Sequence, residues 1–132
     1  MKAYNHTILN IALERGTISA DIKQGELVHV DANGKATNVV GSGNLAFVAE
    51  KEVIASSIDH VTVRAVGVAA VFVADYTNIV PGSELTIGDD GKGVKVRGTG
   101  ELKLGIALKK PSQNGEQIPM LIDIEGKASN LY

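Results

Sequence analysis

Short alternating apolar stretches separated by turn residues recur along nearly the whole chain, and no other feature restricts its possible folds so sharply. Leu9, Ile11 and Leu13; Val28 and Val30; Val61 and Val63; Leu85 and Ile87; Val94 and Val96; Leu102, Leu104, Ile106 and Leu108; and Met120, Ile122 and Ile124 follow a period of two. That spacing places every second side chain on one face of a strand. Between these stretches, Asn33-Gly34 and Asp90-Gly91 predict type I′ hairpin turns, and Arg15-Gly16, Pro81-Gly82 and Asn114-Gly115 mark further reversals. Fifteen glycines in 132 residues suit many tight turns better than long helices. Helical composition is confined to residues 50–57, where Glu50, Lys51, Glu52 and Ala55 predict one or two turns. The expectation is a mainly β protein, a small β-barrel or β-sandwich built from two similar hairpin units, with at most one short helix.

The two units are visible as an internal repeat. Residues 25–50 align without gaps on residues 82–107 at an offset of 57, with identities at Gly25/Gly82, Gly34/Gly91, Lys35/Lys92, Val39/Val96, Gly41/Gly98, Gly43/Gly100 and Leu45/Leu102. Conservative matches at Val28/Leu85, Val30/Ile87 and Asn33/Asp90 fall on the same strand and turn positions. The organisation expected is an N-terminal arm and first strand over residues 1–24, then one β domain over 25–132 containing the repeat.

One stretch breaks the alternation. Ala65 to Ala74 is apolar at every position, so any strand it forms needs cover on both faces. Burying a valine or phenylalanine contributes roughly 1.5–3 kcal/mol, a large share of a net stability of about 5–15 kcal/mol. In so short a chain, Val68, Val71 and Val73 are therefore candidates for contact between copies.

The composition removes several chemistries. With no cysteine, the chain has no disulfide, thiolate nucleophile, zinc-thiolate site or iron–sulfur cluster. His6 and His29 are isolated, and no two of the three histidines have ligand spacing. Ser56, Asp59 and His60 crowd into five residues, but neighbours on a strand point to opposite faces, and a working triad draws on separate elements. Residues 88–93, Gly-Asp-Asp-Gly-Lys-Gly, meet neither the phosphate-loop nor the EF-hand pattern and read as a hairpin turn. Lys92, Lys95, Arg97, Lys103, Lys109 and Lys110, against Glu101 alone, predict a basic outer face on the second unit. No aromatic interleaves with these cations, and the formal net charge is −2, so nucleic acid is not an expected partner. The absence of tryptophan weakens a sugar-stacking role. The N-terminal segment does not read as a signal peptide, and the longest uncharged apolar run is about half the ~20 residues of a membrane span. No catalytic, metal-binding or cofactor-binding residues are expected, and no membrane partner.

Four segments, in order and spacing, resemble the capsid cement, or head decoration, proteins of tailed bacteriophages. They are Ile22-Lys23-Gln24-Gly25-Glu26-Leu27-Val28; Val61-Thr62-Val63-Arg64 running into Ala65-Val66-Gly67-Val68-Ala69; Asn78-Ile79-Val80-Pro81-Gly82-Ser83-Glu84-Leu85; and Leu104-Gly105-Ile106-Ala107-Leu108 followed by Ile118-Pro119-Met120-Leu121-Ile122. The resemblance implies a small, mostly β virion protein, made in the host cytoplasm and often oligomeric, with a trimer favoured. Such a protein binds the outer surface of the assembled major capsid protein lattice and strengthens it without catalysis or cofactor. The chain departs from the family pattern at Glu50 to Glu52, which leaves the strand topology open. Lys2, Tyr4, Asn5 and His6, with Tyr132, are the candidate capsid contacts, because an arm docking on a neighbour needs bulky amphipathic side chains to offset its ordering entropy. The alternative is a β-module of a phage spike or fibre that binds a receptor or glycan.

Overall fold

A computed structural model describes residues 8–40, 45–56 and 60–126. These residues form ten strands and no helix: β1 Leu9–Glu14, β2 Leu27–Val30, β3 Ala36–Thr37, β4 Leu45–Ala49, β5 His60–Val66, β6 Val68–Phe72, β7 Glu84–Ile87, β8 Val94–Val96, β9 Lys103–Ala107 and β10 Gln117–Glu125. Two antiparallel five-stranded sheets result, in the orders β1-β5-β4-β2-β3 and β6-β10-β9-β7-β8. Neither sheet closes into a barrel, so the sandwich-like alternative holds.

The second order repeats the first, strand for strand. Each sheet is one copy of the same unit, so the duplication extends well beyond residues 25–50 and 82–107. Matching details run through both copies. Arg15 bridges Ala36 in parallel and Val73 bridges Val94 in parallel. Gly16 N–H donates to Ala36 O and Ala74 N–H to Val94 O, at 2.8 and 2.9 Å.

The hairpins differ from the type I′ expectation. In the first, Gly34 N–H donates to Asp31 O and Asp31 N–H to Lys35 O, with Gly34 alone in the positive-φ region. A type I′ turn needs two such residues, and Asn33 is not one of them; this is a type I turn closed by a glycine bulge. The second turn is one residue longer, spanning Gly88 to Gly93 where the first spans Asp31 to Lys35. The gapless alignment therefore slips by one beyond the turn. Leu45 corresponds in register to Lys103, not Leu102, and Phe47 to Gly105.

Residues 50–56 form no helix. Val53 makes an antiparallel bridge to Ile22, with backbone bonds of 2.9 and 2.7 Å, and both side chains are buried. Burying two β-branched residues outweighs the modest helix preference of Glu50, Lys51 and Glu52.

Each unit encloses its own core. Ile18, Ile22, Val28, Ala36, Ala49, Val53, Val61 and Val63 fill the first. The second holds Ala69, Val71, Val73, Ile79, Leu85, Val94, Ala107, Ile118 and Met120, and it also takes Leu27, Ala46 and Val48 from the opposite face of the first sheet. Leu27 and its neighbours thus seal one unit against the other. Backbone bonds reinforce this seam: Leu27 N–H to Lys92 O at 2.9 Å and Phe72 N–H to Gly25 O at 3.2 Å.

The unbroken apolar run also resolves differently from its sequence. Along β6 and the residue after it, Ala69, Val71 and Val73 point into the core while Val68 and Ala70 are exposed. Val71 and Val73 are 0% and 1% exposed, so they have no surface to offer another copy, which corrects their assignment; Val68, 40% exposed, does. Strand alternation inside one chain buries the inner residues, and no partner is needed for them.

Candidate functional site

Three surfaces collect side chains with chemical potential, and the first and third are built where the two units meet. The first is a cleft of about 190 Å³ along the seam, lined by Gln24, Glu50, Arg64, Val68, Ala70 and Gln117 among others. Arg64, on β5, donates from Nε to Asn10 Oδ1 at 2.6 Å and from a terminal nitrogen to Val68 O at 2.8 Å, and its other terminal nitrogen lies 3.7 Å from Glu50 Oε1. Gln24 Nε2 donates to Glu50 O, and Gln117 Nε2 to Gln24 O. These groups hold the seam together. The second oxygen of Glu50 is the one buried side-chain polar atom without a hydrogen-bond partner among the described residues. A wider groove nearby is lined by Lys23, Glu26, Phe72, Asp90, Lys92 and Asn114. Its carboxylates are spent on local turns: Glu26 accepts from Lys23 N–H at 2.8 Å, and Asp90 from Lys92 and Gly93 N–H at 2.8 and 3.0 Å. Neither place offers a nucleophile beside a base.

The second surface is an ion-pair network at one end of the second sheet. Lys103, only 5% exposed, reaches Asp123 at 2.8 Å, Glu125 at 3.5 Å and Glu84 at 3.7 Å. Arg97 adds a 2.9 Å bond to Glu84. Lys95 pairs with Asp89, and Lys109 with Glu116. The expected basic outer face is therefore corrected to a mixed network, because β7, the 88–93 turn and β10 bring acids to the cations. The Arg97 hydrogen bond holds the Glu84 carboxyl below its ordinary range, and the Asp123 hydrogen bond raises the Lys103 amine above its own. Hydrogen bonds from Thr77 and Ser112 likewise lower Asp75 and Glu116.

A pH dependence follows. For the three carboxyls the folded value lies below the unfolded one, so their stabilisation is complete above the ordinary carboxylate range and is lost as pH falls through the folded values. For Lys103 the folded value is the higher one, so its contribution is lost only in strong alkali. Unfolding free energy in urea should stay flat from pH 7 to about 5 and decline below about 4.3. Glu84→Gln should reduce that decline; an unchanged acid slope would contradict the role given to the Arg97 contact.

The third surface is apolar. Leu9 pairs with Val66, Val66 is two residues from Val68, and Val68 pairs with Leu121. Together with Ile8 they form a stripe where the start of β1 meets the start of β6, each residue between 39% and 57% exposed. Larger apolar patches on a protein surface are where partners commonly bind. The chain matches no known protein-family model and no curated protein.

Against that chemistry, the expected site residues fall into two groups. Lys2, Tyr4, Asn5, His6 and Tyr132 lie outside the described residues, as do Ser57 and Asp59 of the crowded 56–60 segment. Val68 joins the stripe, whereas Val71 and Val73 belong to the core. His29 is buried, and its Nε2 donates to Gly91 O at 2.7 Å across the seam, which makes it a strut between units. Among the described residues, no group of three or more histidine, aspartate or glutamate side chains converges as a metal site would require.

The stripe was only half legible. Leu121 is apolar in the off-phase of Met120, Ile122 and Ile124, which is a readable signal of an apolar outer face. Leu9 is in phase with Ile11 and Leu13, yet at the start of the strand it is 49% exposed.

Proposed function

We propose that this protein is a virion structural protein that adheres to the outer surface of an assembled phage capsid and stabilises it, acting as a homo-oligomer and not as a catalyst. The observation that carries this reading is the apolar stripe of Ile8, Leu9, Val66, Val68 and Leu121 on a doubled β scaffold. A clamp of this kind needs stiffness and adhesion. Two cores joined by a shared seam supply the first, and the stripe supplies the second. Many copies on a regular shell turn modest contacts into firm attachment through avidity. The resemblance to capsid cement proteins supports the same role. Lys2, Tyr4, Asn5 and His6 lie within six residues of Ile8 in sequence, and they extend the adhesive surface in this reading.

The test is co-sedimentation of the full chain with expanded and unexpanded capsids, compared with a variant lacking residues 2–7. The full chain should sediment with assembled shells. The shortened chain should keep its melting temperature and lose at least about tenfold in binding, roughly 1.4 kcal/mol or more. Unchanged binding rejects the arm assignment. Failure to bind any shell, with binding of a receptor or glycan by the free protein, overturns the capsid reading in favour of a fibre module.

A further inference from the structure

We propose that the open edge of β1 pairs with the same edge of a second copy of the chain, antiparallel across a twofold axis, an inference that rests on this edge and not on the capsid reading. Backbone direction along β1 is readable from its neighbours. Glu50 N–H donates to Thr62 O at 3.0 Å, which turns the backbone of Thr62 toward β4. Ala12 stands opposite Thr62, so its own N–H and C=O point away from β5. Gly16, of the same parity, points the same way and donates to Ala36 O, which closes that end of the edge on β3. Among the described residues, no hydrogen bond reaches the outward backbone groups of Asn10 and Ala12.

The duplicated fold provides its own comparison. In the second unit the corresponding edge, β6, is covered: Phe72 N–H donates to Gly25 O, and Val68 O accepts from Arg64. Proteins that keep such an edge solitary usually place charge or proline on it. Ile8 to Leu13, Ile-Leu-Asn-Ile-Ala-Leu, has neither; the charge of β1 is confined to its last residue, Glu14, next to the end that Gly16 closes on β3.

The edge is also self-complementary. When the axis passes beside Ile11, Asn10 faces Ala12 of the second copy and Ala12 faces its Asn10, so outward backbone groups meet in parity. On one face of the ladder Leu9 then meets Leu13, Ile11 meets Ile11 and Leu13 meets Leu9, an all-apolar row. Ile11 and Leu13 are only half-buried in one chain, and Leu9 is exposed. The two Glu14 carboxylates stand at opposite ends. Each copy's stripe of Ile8, Leu9, Val66, Val68 and Leu121 begins at the Leu9 end of β1, so the two stripes lie at opposite ends of the ladder, each next to Leu13 of the second copy. A second copy is the occupant that satisfies backbone and side chains together, as an isologous contact requires.

The test uses the whole chain in sedimentation velocity at about 100 μM, because association depends on concentration. A dimer is expected. Ala12→Pro removes an N–H that no bond among the described residues uses, as edge strands tolerate; it should shift the protein toward monomer by at least about tenfold in dissociation constant, with circular dichroism and melting unchanged. The chain has no cysteine, so Ile11→Cys should cross-link to itself on mild oxidation, whereas Gln113→Cys, on an exposed turn, should not. The Cα separation expected at that pair, about 4.5 Å, falls within disulfide range. A monomer or a trimer at that concentration overturns the twofold pairing, and so does a dimer that Ala12→Pro leaves intact.

Discussion

Gly105→Ala should cost about 3 kcal/mol or more, a large fraction of a net stability of about 5–15 kcal/mol. Gly105 lies in the middle of β9, between β7 and β10. A Cβ there would collide with the backbone oxygen of Leu121 and stand 2.7 and 2.9 Å from Cγ and Sδ of Met120. Met120 is 1% exposed and has little room to yield, and the Leu121 oxygen belongs to the strand itself. The duplication explains why this site is empty. Its counterpart in the first sheet is Phe47, beside Val28, and the first core has Val63 where the second has Met120. One unit fills its centre from β4 and the other from β10, so a side chain at residue 105 adds volume that Met120 already occupies. Urea titration of the variant gives the measure. A loss under about 1 kcal/mol would show that β9 and β10 can separate, contrary to this packing.

Leu27→Ala should cost about 2–5 kcal/mol, the range for emptying a buried leucine site. The location of the damage is the sharper expectation. Leu27 is 2% exposed and belongs to β2 of the first sheet, yet it packs in the second unit's core beside Ala46 and Val48. Its loss should raise amide exchange in β6 and β7 as well as β2, and the protein should still unfold in one transition, because Leu27, His29 and Gly25 tie the halves together. Val28→Ala, one residue on, empties the first core and should leave exchange in the second sheet little changed. Equal effects of the two substitutions on both sheets would sink the idea of a seam with its own energetics; separate unfolding of the halves in the parent chain would do the same.

The period-two pattern was enough to place β2, β5, β7, β8 and β10, because alternation is a property of neighbouring residues and needs no knowledge of distant ones. The duplication was visible too, through the turn residues Gly25/Gly82 and Gly34/Gly91, whose positive φ angles demand glycine in both copies. Beyond the turn, one inserted residue in the second hairpin shifts all later correspondences, and chance identities such as Leu45/Leu102 conceal the shift.

Other features depended on partners far along the chain. Residues 50–56 form bends, a bridge and a turn instead of a helix because Val53 meets Ile22, thirty-one positions away. The cations from Lys95 to Lys109 lose their expected field because Glu84, Asp89, Glu116, Asp123 and Glu125 come to them from other strands and turns. Whether an apolar residue is core or adhesive surface was settled the same way. Val68 and Val71 are identical side chains three residues apart, and only the position of β10 and the first sheet makes one exposed and the other buried. Local spacing determines which residues share a face; what covers that face is a property of the assembled chain, because burial is a relation between segments that the sequence keeps far apart.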